Sequence, residues 1–437
     1  MNKAISIGNL LLLLLVFCVG FNEQTKAQTP NNADYTKKYT LSEVVVFSRH
    51  NIRSPLATKG SVIERITPHQ WYPWTSEAGC LSLKGGVMET MMGQYFHKWL
   101  VSEGLFEENA MPDSDEIRVY TNSMQRTIAT ARYFLSGFMP VANIPVEHHC
   151  TIGTMDSIFT PQITRIDDEF CTTAFQQIAE MNGEKAKMHK VSPNEYYCVL
   201  NKTGKKLAEN YSKICSVLDI KESPACLQGD TCRFTGPDTI WLRLNDEPRT
   251  TGTLKSTCKA SDALVLQYYE ERDDLKAAFG HAISYEEWLQ ISGIKIWYDH
   301  LLFTAPIVSK QIATPILNEI AKELNTPKRK FAFLCGHDSN IGSMLAALGV
   351  SDYTLPNTVE SKTPIGSKIV FEKWVDKSGN SFVSVSLVYH STAQIRQGSC
   401  NNSDIVPIKF PVRFKNLTTN ADGLYALDDI LKILNQL

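Results

Sequence analysis

The chain has 437 residues, 43% of them hydrophobic and 21% charged, with a formal net charge of −2 at neutral pH. A chain of that length and composition buries a large core, in two domains or in one with a big insertion. Its balanced charge argues against nucleic-acid binding, which takes a basic surface, so any anion site has to be local.

The first element is a leader. Lys3 precedes Leu10-Leu11-Leu12-Leu13-Leu14-Leu15-Val16-Phe17, an apolar run too short to span a bilayer, and Thr25-Lys26-Ala27 stands just before Gln28. That layout predicts a secretory signal peptide over residues 1–27, cleaved after Ala27. A lipid anchor at Cys18 is disfavoured by the bulky Phe17 before it. No later segment reaches membrane-spanning length, so the mature protein is expected to be exported, to the periplasm, and free of the membrane.

A strand is predicted over 41–48, running through Val44-Val45-Val46-Phe47 into Arg49-His50-Asn51-Ile52-Arg53-Ser54-Pro55. A helix follows over 83–106, whose Met88, Met91, Met92, Tyr95, Phe96, Trp99 and Leu100 read as core packing. Another strand is expected over 116–121, with Asn122-Ser123 capping a helix over 124–138. Residues 330–335 make a third strand, after which Gly336-His337-Asp338 turns into a helix running to Leu348 and stopped by Gly349. Strand, polar turn and helix, three times over, imply an α/β fold with a mainly parallel central sheet flanked by helices. Ligands of such sheets gather beyond the carboxyl ends of the strands, where all three polar turns sit. Near the C-terminus, 368–374 and 382–389 flank a glycine turn and read as a β-hairpin. The α/β core is thus placed over 35–160 and 296–437. Residues 161–295 are expected to form a mainly helical insertion that lids the site.

The chemistry lies in the turns. Arg49 and Arg53 flank His50, Arg126 arrives in the first turn of the second helix, and His337 adds a donor. Guanidinium forks suit phosphate oxygens, and a helix N-terminus favours an anion. Among those cations His50 should stay neutral and nucleophilic, attacking phosphorus to give a phosphohistidine that water later cleaves. The leaving oxygen needs a proton, and Asp338 is the best-placed carboxyl to donate it. An isolated His-Asp pair is more often a helix cap, and Arg126 alone would be a solvated helix residue. The string Arg-His-x-x-Arg-x-Pro is more telling, since chance supplies it in about one such chain in a thousand.

Arg49-His50-Asn51-Ile52-Arg53-Ser54-Pro55 with Gly336-His337-Asp338 resembles the histidine acid phosphatase branch of the histidine phosphatase superfamily, and its glucose-1-phosphatases most of all. The likeness returns at Asn122-Ser123-Met124-Gln125-Arg126-Thr127, Gly153-Thr154-Met155-Asp156, Ser223-Pro224-Ala225-Cys226, Gln267-Tyr268-Tyr269-Glu270 and Thr363-Pro364-Ile365-Gly366, and weakens between about 160 and 245. It implies His50 as nucleophile, Asp338 as proton donor, and Arg49, Arg53, Arg126 and His337 as phosphate ligands. It also implies that Glu247, in Asn245-Asp246-Glu247-Pro248, lies at the sugar; on its own, that polar stretch reads as surface. Cys226-Leu-Gln-Gly-Asp-Thr-Cys232 is the clearest local pair for a disulfide, and the resemblance implies the same bond.

The expected substrate is a small phosphomonoester, glucose 1-phosphate foremost. A phytase acting on inositol phosphates is the alternative with the same mechanism, and Lys59, Arg65 and Lys84 are the cations that would serve it. A non-catalytic sugar-phosphate binder is the alternative of another class, although binding alone needs neither His50 nor Asp338. Neither Gly-x-Ser-x-Gly nor a P-loop motif occurs. No cofactor or metal is expected. No Cys-x2-Cys pair exists, and in His148-His149-Cys150 neighbours on an extended chain point to opposite faces.

Overall fold

The computed structural model describes residues 37–56, 60–230, 232–398 and 405–435, so the leader expected over 1–27 lies outside the described residues. In chain order come β1 (Tyr39–Arg49), α1 (Leu83–Ser102), β2 (Ile117–Thr121), α2 (Gln125–Phe138), α3 (Asp168–Met181), β3 (His189–Ser192), β4 (Glu195–Leu200) and α4 (Ala208–Val217). They are followed by β5 (Asp238–Arg243), β6 (Arg249–Gly252), α5 (Thr253–Glu270), α6 (Tyr285–Phe303), α7 (Pro306–Leu324), β7 (Phe331–Gly336) and α8 (Asp338–Ala347). The last elements are β8 (Lys368–Asp376), β9 (Ser381–Tyr389), α9 (Thr392–Gln397), β10 (Ile408–Pro411), β11 (Tyr425–Ala426) and α10 (Leu427–Asn435).

A seven-stranded sheet has the order β10-β9-β8-β1-β7-β2, with β11 beside β9. The α/β class is as expected, and the three strands that end in polar turns, β1, β7 and β2, are mutually parallel. On the other side of β1 the sheet is antiparallel, because β8 and β9 are the expected hairpin and β10 adds to its edge. Being central, β1 is covered on both faces, which is why Val44, Val45, Val46 and Phe47 form one apolar run rather than alternating with polar residues. Phe96, Phe134 and Phe138 of α1 and α2 pack on one face with Val44, Val46, Phe331 and Phe333. Ile316, Leu317 and Ile320 of α7, with Ile341 and Met344 of α8, pack on the other against Val45, Phe47 and Leu334. Helices α1 and α2 touch backbone to backbone: a Cβ at Gly93 would meet the Phe134 carbonyl at 2.1 Å, and one at Gly137 the Thr90 carbonyl at 1.9 Å.

The segment expected to be mainly helical holds α3, α4, α5 and the first part of α6, but it is not helical throughout. It also carries a four-stranded antiparallel sheet, β3-β4-β5-β6. Strands β4 and β5 alternate buried and half-buried positions, turning Cys198, Leu200, Ile240 and Leu242 into a core shared with α3, α4, α5 and α6. Tyr197, Val199 and Trp241 on the outer positions are themselves aromatic or apolar, which diluted that period-two signal. Helix α6 also runs straight through the expected boundary at 295/296. Cys226 and Cys232 are disulfide-bonded, and Cys335 is a free thiol buried in β7. Among the described residues no helix is long and apolar enough to cross a membrane.

Candidate active site

Strand register explains how residues nearly 300 positions apart meet. Arg49 is paired with Gly336 across β1 and β7, and Thr121 with Cys335 across β2 and β7. The His50 amide donates to the Gly336 carbonyl at 3.1 Å, and the Asn122 amide to the Cys335 carbonyl at 2.9 Å. The chain leaves all three strands at one level, bringing Arg49, His50, Arg53, Arg126, His337 and Asp338 to one end of the sheet. All of them except Arg126 and Asp338 are buried.

Hydrogen bonds orient both imidazoles. His50 Nδ1 lies 2.8 Å from the Asn51 carbonyl, an acceptor, so Nδ1 carries the proton and Nε2 the lone pair. His337 caps α8, and its Nε2 lies 2.7 Å from Asn122 Nδ2. The Asn122 amide cannot be turned over, because its Oδ1 accepts from the Asp156 amide at 2.9 Å. Nδ2 therefore donates to His337 Nε2, which leaves a proton on His337 Nδ1. That N–H stands 3.5 Å from Arg126 Nη2, another donor. Two donors facing one point, together with unpartnered buried Nε atoms on Arg49, Arg53 and Arg126, form an array that lacks an acceptor.

The charges act in the same direction. Burial first, then the charges of Arg126 and Arg53, hold His50 well below the usual histidine value, so the imidazole is neutral. Burial and Arg126 do the same to His337. Burial and neighbouring Arg53 push Arg126 down to about 10, the sign of a cation short of counter-charge.

Residues 40–390 match the model of the histidine phosphatase superfamily (branch 2). The chain belongs to that superfamily. Membership makes it a phosphomonoesterase. It is 35% identical to the glucose-1-phosphatase of Salmonella typhimurium (strain LT2), over 91% of this chain and 92% of that protein. It is 26% identical to the phytase AppA of Escherichia coli (strain K12), covering 91% of each. Its fold is similar to that of the apo phytase of Hafnia alvei, with a TM-score of 0.79, 23% identity, and coverage of 91% of this chain and 97% of that one.

Several charged groups of this histidine phosphatase's site were not singled out from the sequence. Glu360 binds Arg49 Nη1 at 2.7 Å and is itself held by the Tyr269 hydroxyl and the Ile365 amide, each at 2.9 Å. Asp262 on α5 pairs with Arg53 at 3.1 Å. Lys295 on α6 lies 2.7 Å from Asp338 Oδ2 and 2.6 Å from Asp299, while Arg49 Nη2 reaches the same Asp338 oxygen at 3.1 Å. Burial raises the Asp338 carboxyl, but Lys295 and Arg49 outweigh it and hold it well below the usual carboxylate range. Without substrate, Asp338 is a carboxylate. Two sequence signals lay near this group: the Thr363 carbonyl of Thr363-Pro364-Ile365-Gly366 accepts from Arg49, and Tyr269 of Gln267-Tyr268-Tyr269-Glu270 donates to Glu360.

Under His50 lies a buried ion pair. Lys368 Nζ is 3.0 and 3.1 Å from the two Glu89 oxygens, with both side chains fully buried, and Glu89 also accepts from Asn51 Nδ2 at 2.7 Å. Glu247 is half-buried in the turn between β5 and β6. Burial raises its carboxyl, Arg249 opposes this, and the charges of Asp338 and Arg126 both reach it. His149 is 3.9 Å from Glu147, and His148 bonds the Cys150 carbonyl, so the three neighbours do not converge as ligands. Of the cations a polyphosphate would use, Arg65 is paired with Asp230 on the surface, and Lys84 bonds the carbonyls of Tyr269 and Arg396. Lys59 lies outside the described residues.

Proposed function

We propose that the protein hydrolyses small phosphomonoesters, glucose 1-phosphate foremost, through a phosphohistidine at His50 Nε2. The observation that carries this is the pinned His50 tautomer within a donor array that lacks an acceptor. Arg49, Arg53, Arg126 and His337 Nδ1–H hold the three peripheral oxygens of the phosphoryl group, and the Nε2 lone pair forms the new bond to phosphorus as the ester P–O bond breaks. Asp338 gives its proton to the departing oxygen. It then takes one from the water that cleaves the phosphohistidine, releasing inorganic phosphate and restoring His50.

Asp338 is a carboxylate in the free protein, so its proton arrives with the substrate. A phosphomonoester keeps one proton below its second pKa, about 6. Seated beside Asp338, the phosphoryl charge raises the carboxyl and draws Arg49 towards the phosphate, so the proton of the monoanion passes to Asp338. Acid conditions are needed to load the substrate with that proton, not to neutralise a cationic nucleophile.

Glu247 is assigned to the sugar hydroxyls, as an acceptor that also repels further phosphates on a polyanion. Identity of 35% to a glucose-1-phosphatase against 26% to a phytase supports that preference. So do Arg65 and Lys84, which are engaged elsewhere. Phytase activity is the second reading, favoured by the fold of the Hafnia alvei enzyme. The leader supports export to the periplasm, and the segment 161–295 is assigned as the insertion that bounds the substrate. The deciding experiment compares kcat/KM on glucose 1-phosphate and inositol hexakisphosphate, for the native protein and for Glu247→Gln. The ratio should favour the sugar phosphate and fall about tenfold or more in the variant, as for a lost charged hydrogen bond. A native preference for the inositol phosphate would refute the assignment.

A further inference from the structure

Apart from the phosphate cradle, three segments remote in sequence bring ligand-type side chains to one point. His69 lies in the loop between the Arg53 turn and α1, Asp219 in the turn after α4, and His281 in the turn leading into α6. His69 Nε2 is 2.7 Å from Asp219 Oδ2, and His281 Nε2 is 2.9 Å from that same oxygen. The three ligand atoms lie within 4.8 Å of one another. Each side chain is about one-third exposed, at 30%, 33% and 32%, which leaves a side open to water.

Two details set this cluster apart from an ordinary surface ion pair. Both imidazoles present the same ring nitrogen to a single carboxylate oxygen. The backbone is also held in unfavourable conformations on two sides: Asp219 has φ +46°, and Phe279, whose ring stacks on His69 at 4.9 Å, has φ +55°. An aromatic residue in the left-handed region is costly and persists only where its surroundings fix it.

We propose that His69, Asp219 and His281 form a divalent transition-metal site of zinc type. Two neutral imidazoles and one carboxylate are the borderline donor set that Zn²⁺ accepts, with water as the fourth ligand. Zinc bonds of about 2.0 Å at tetrahedral angles place ligand atoms about 3.3 Å apart, so the two contacts widen by only about half an ångström. Each imidazole now donates from Nε2 to the Asp219 carboxylate, so metal binding moves its proton to Nδ1 and frees the Nε2 lone pair for the metal.

The site staples rather than catalyses. The loop carrying His69 starts at the phosphate turn, where the Ser54 amide bonds the Cys80 carbonyl at 3.0 Å. Its Trp71, Tyr72 and Trp74 line a cavity of about 460 Å³ together with Ser54 and Pro55. A metal at His69 ties that wall to the two segments carrying Asp219 and His281.

The test uses tag-free full-length protein stripped with chelator and titrated with ZnCl2 by calorimetry, and with CoCl2 by visible spectroscopy. One zinc per chain is expected, with cobalt d–d bands of a four- or five-coordinate site and a higher unfolding temperature with zinc. Asp219→Asn and His281→Gln should each weaken zinc binding at least tenfold and abolish the bands, while turnover of p-nitrophenyl phosphate persists. Zinc affinity equal in the native protein and in a folded variant would overturn the proposal. Absence of cobalt bands in the native protein would overturn it whether or not the variants fold.

Discussion

Lys368→Met tests the foundation on which His50 rests. The native ammonium bonds both Glu89 oxygens, the Ser48 hydroxyl at 3.1 Å and the Gly366 carbonyl at 3.0 Å, with no exposure of either charged side chain. Methionine fills the volume of the stem but supplies no donor, which leaves Glu89 with Asn51 as its remaining partner. Breaking a buried pair from one side costs about 3–5 kcal/mol, because the surviving charge is desolvated and unpaired. The loss should depend on pH. Burial already raises the Glu89 carboxyl, against the opposing Lys368 charge, and removing that charge raises it further. A carboxyl raised in the folded state binds its proton more tightly there than in the unfolded chain, so stability falls as pH climbs from the unfolded value of about 4.3. The deficit is therefore greatest near neutrality and shrinks towards about pH 4. Guanidinium unfolding followed by tryptophan fluorescence at several pH values measures it, and Glu89→Gln in the same chain should restore most of the loss. A deficit under about 1 kcal/mol, or one that ignores pH, would refute the account.

His50→Ala should abolish turnover while leaving the unfolding midpoint nearly unchanged; full residual activity removes the nucleophile assignment. Asp338→Asn should slow alkyl phosphates far more than p-nitrophenyl phosphate, whose leaving group needs no proton, and an equal effect on both contradicts its role as acid. Because His50 is held well below the usual histidine range, kcat/KM should show no acid limb near 6.5, and should fall above about pH 6 as the substrate loses its proton. Cys226→Ser opens a loop with a sequence separation of 6 residues and should cost about 2 kcal/mol by loop entropy, read as a lower unfolding temperature.

The cradle was legible because its members sit within local signals: an apolar run ending in Arg-His, a polar strand-to-helix turn before Arg126, a Gly-His-Asp turn. Asn122 and Ser123 mark that second turn without capping the helix: Met124 holds the N-cap position, and their side chains accept from the Asp156 and Cys150 amides instead. Register then aligned the strand ends, as parallel sheets require. Lys295, Asp262 and Glu360 had no such signal. A lysine or aspartate on an amphipathic helix looks solvated, and only the packing of α5 and α6 over the sheet turns these side chains inward. The β3–β6 sheet was missed for a related reason: its outer face is polar and aromatic, so short strands resembled interrupted helix. His69, Asp219 and His281 share no local pattern at all; loops from three parts of the chain bring them together.

The place of β1 in the sheet has a consequence for how the molecule comes into being. Its neighbours are β7 and β8, so Val44 finds Phe331 and Glu372 only after most of the chain exists. Contacts of such sequence separation form late and slowly, since a long loop has to close before any pairing repays it. The first strand of the sheet waits for the seventh and eighth in chain order, with four consecutive apolar residues uncovered in the meantime. Arg49 and His50 follow directly on that strand, so the phosphate cradle cannot assemble before the strand is covered. Recovery of activity on refolding should therefore report the slowest step in the molecule.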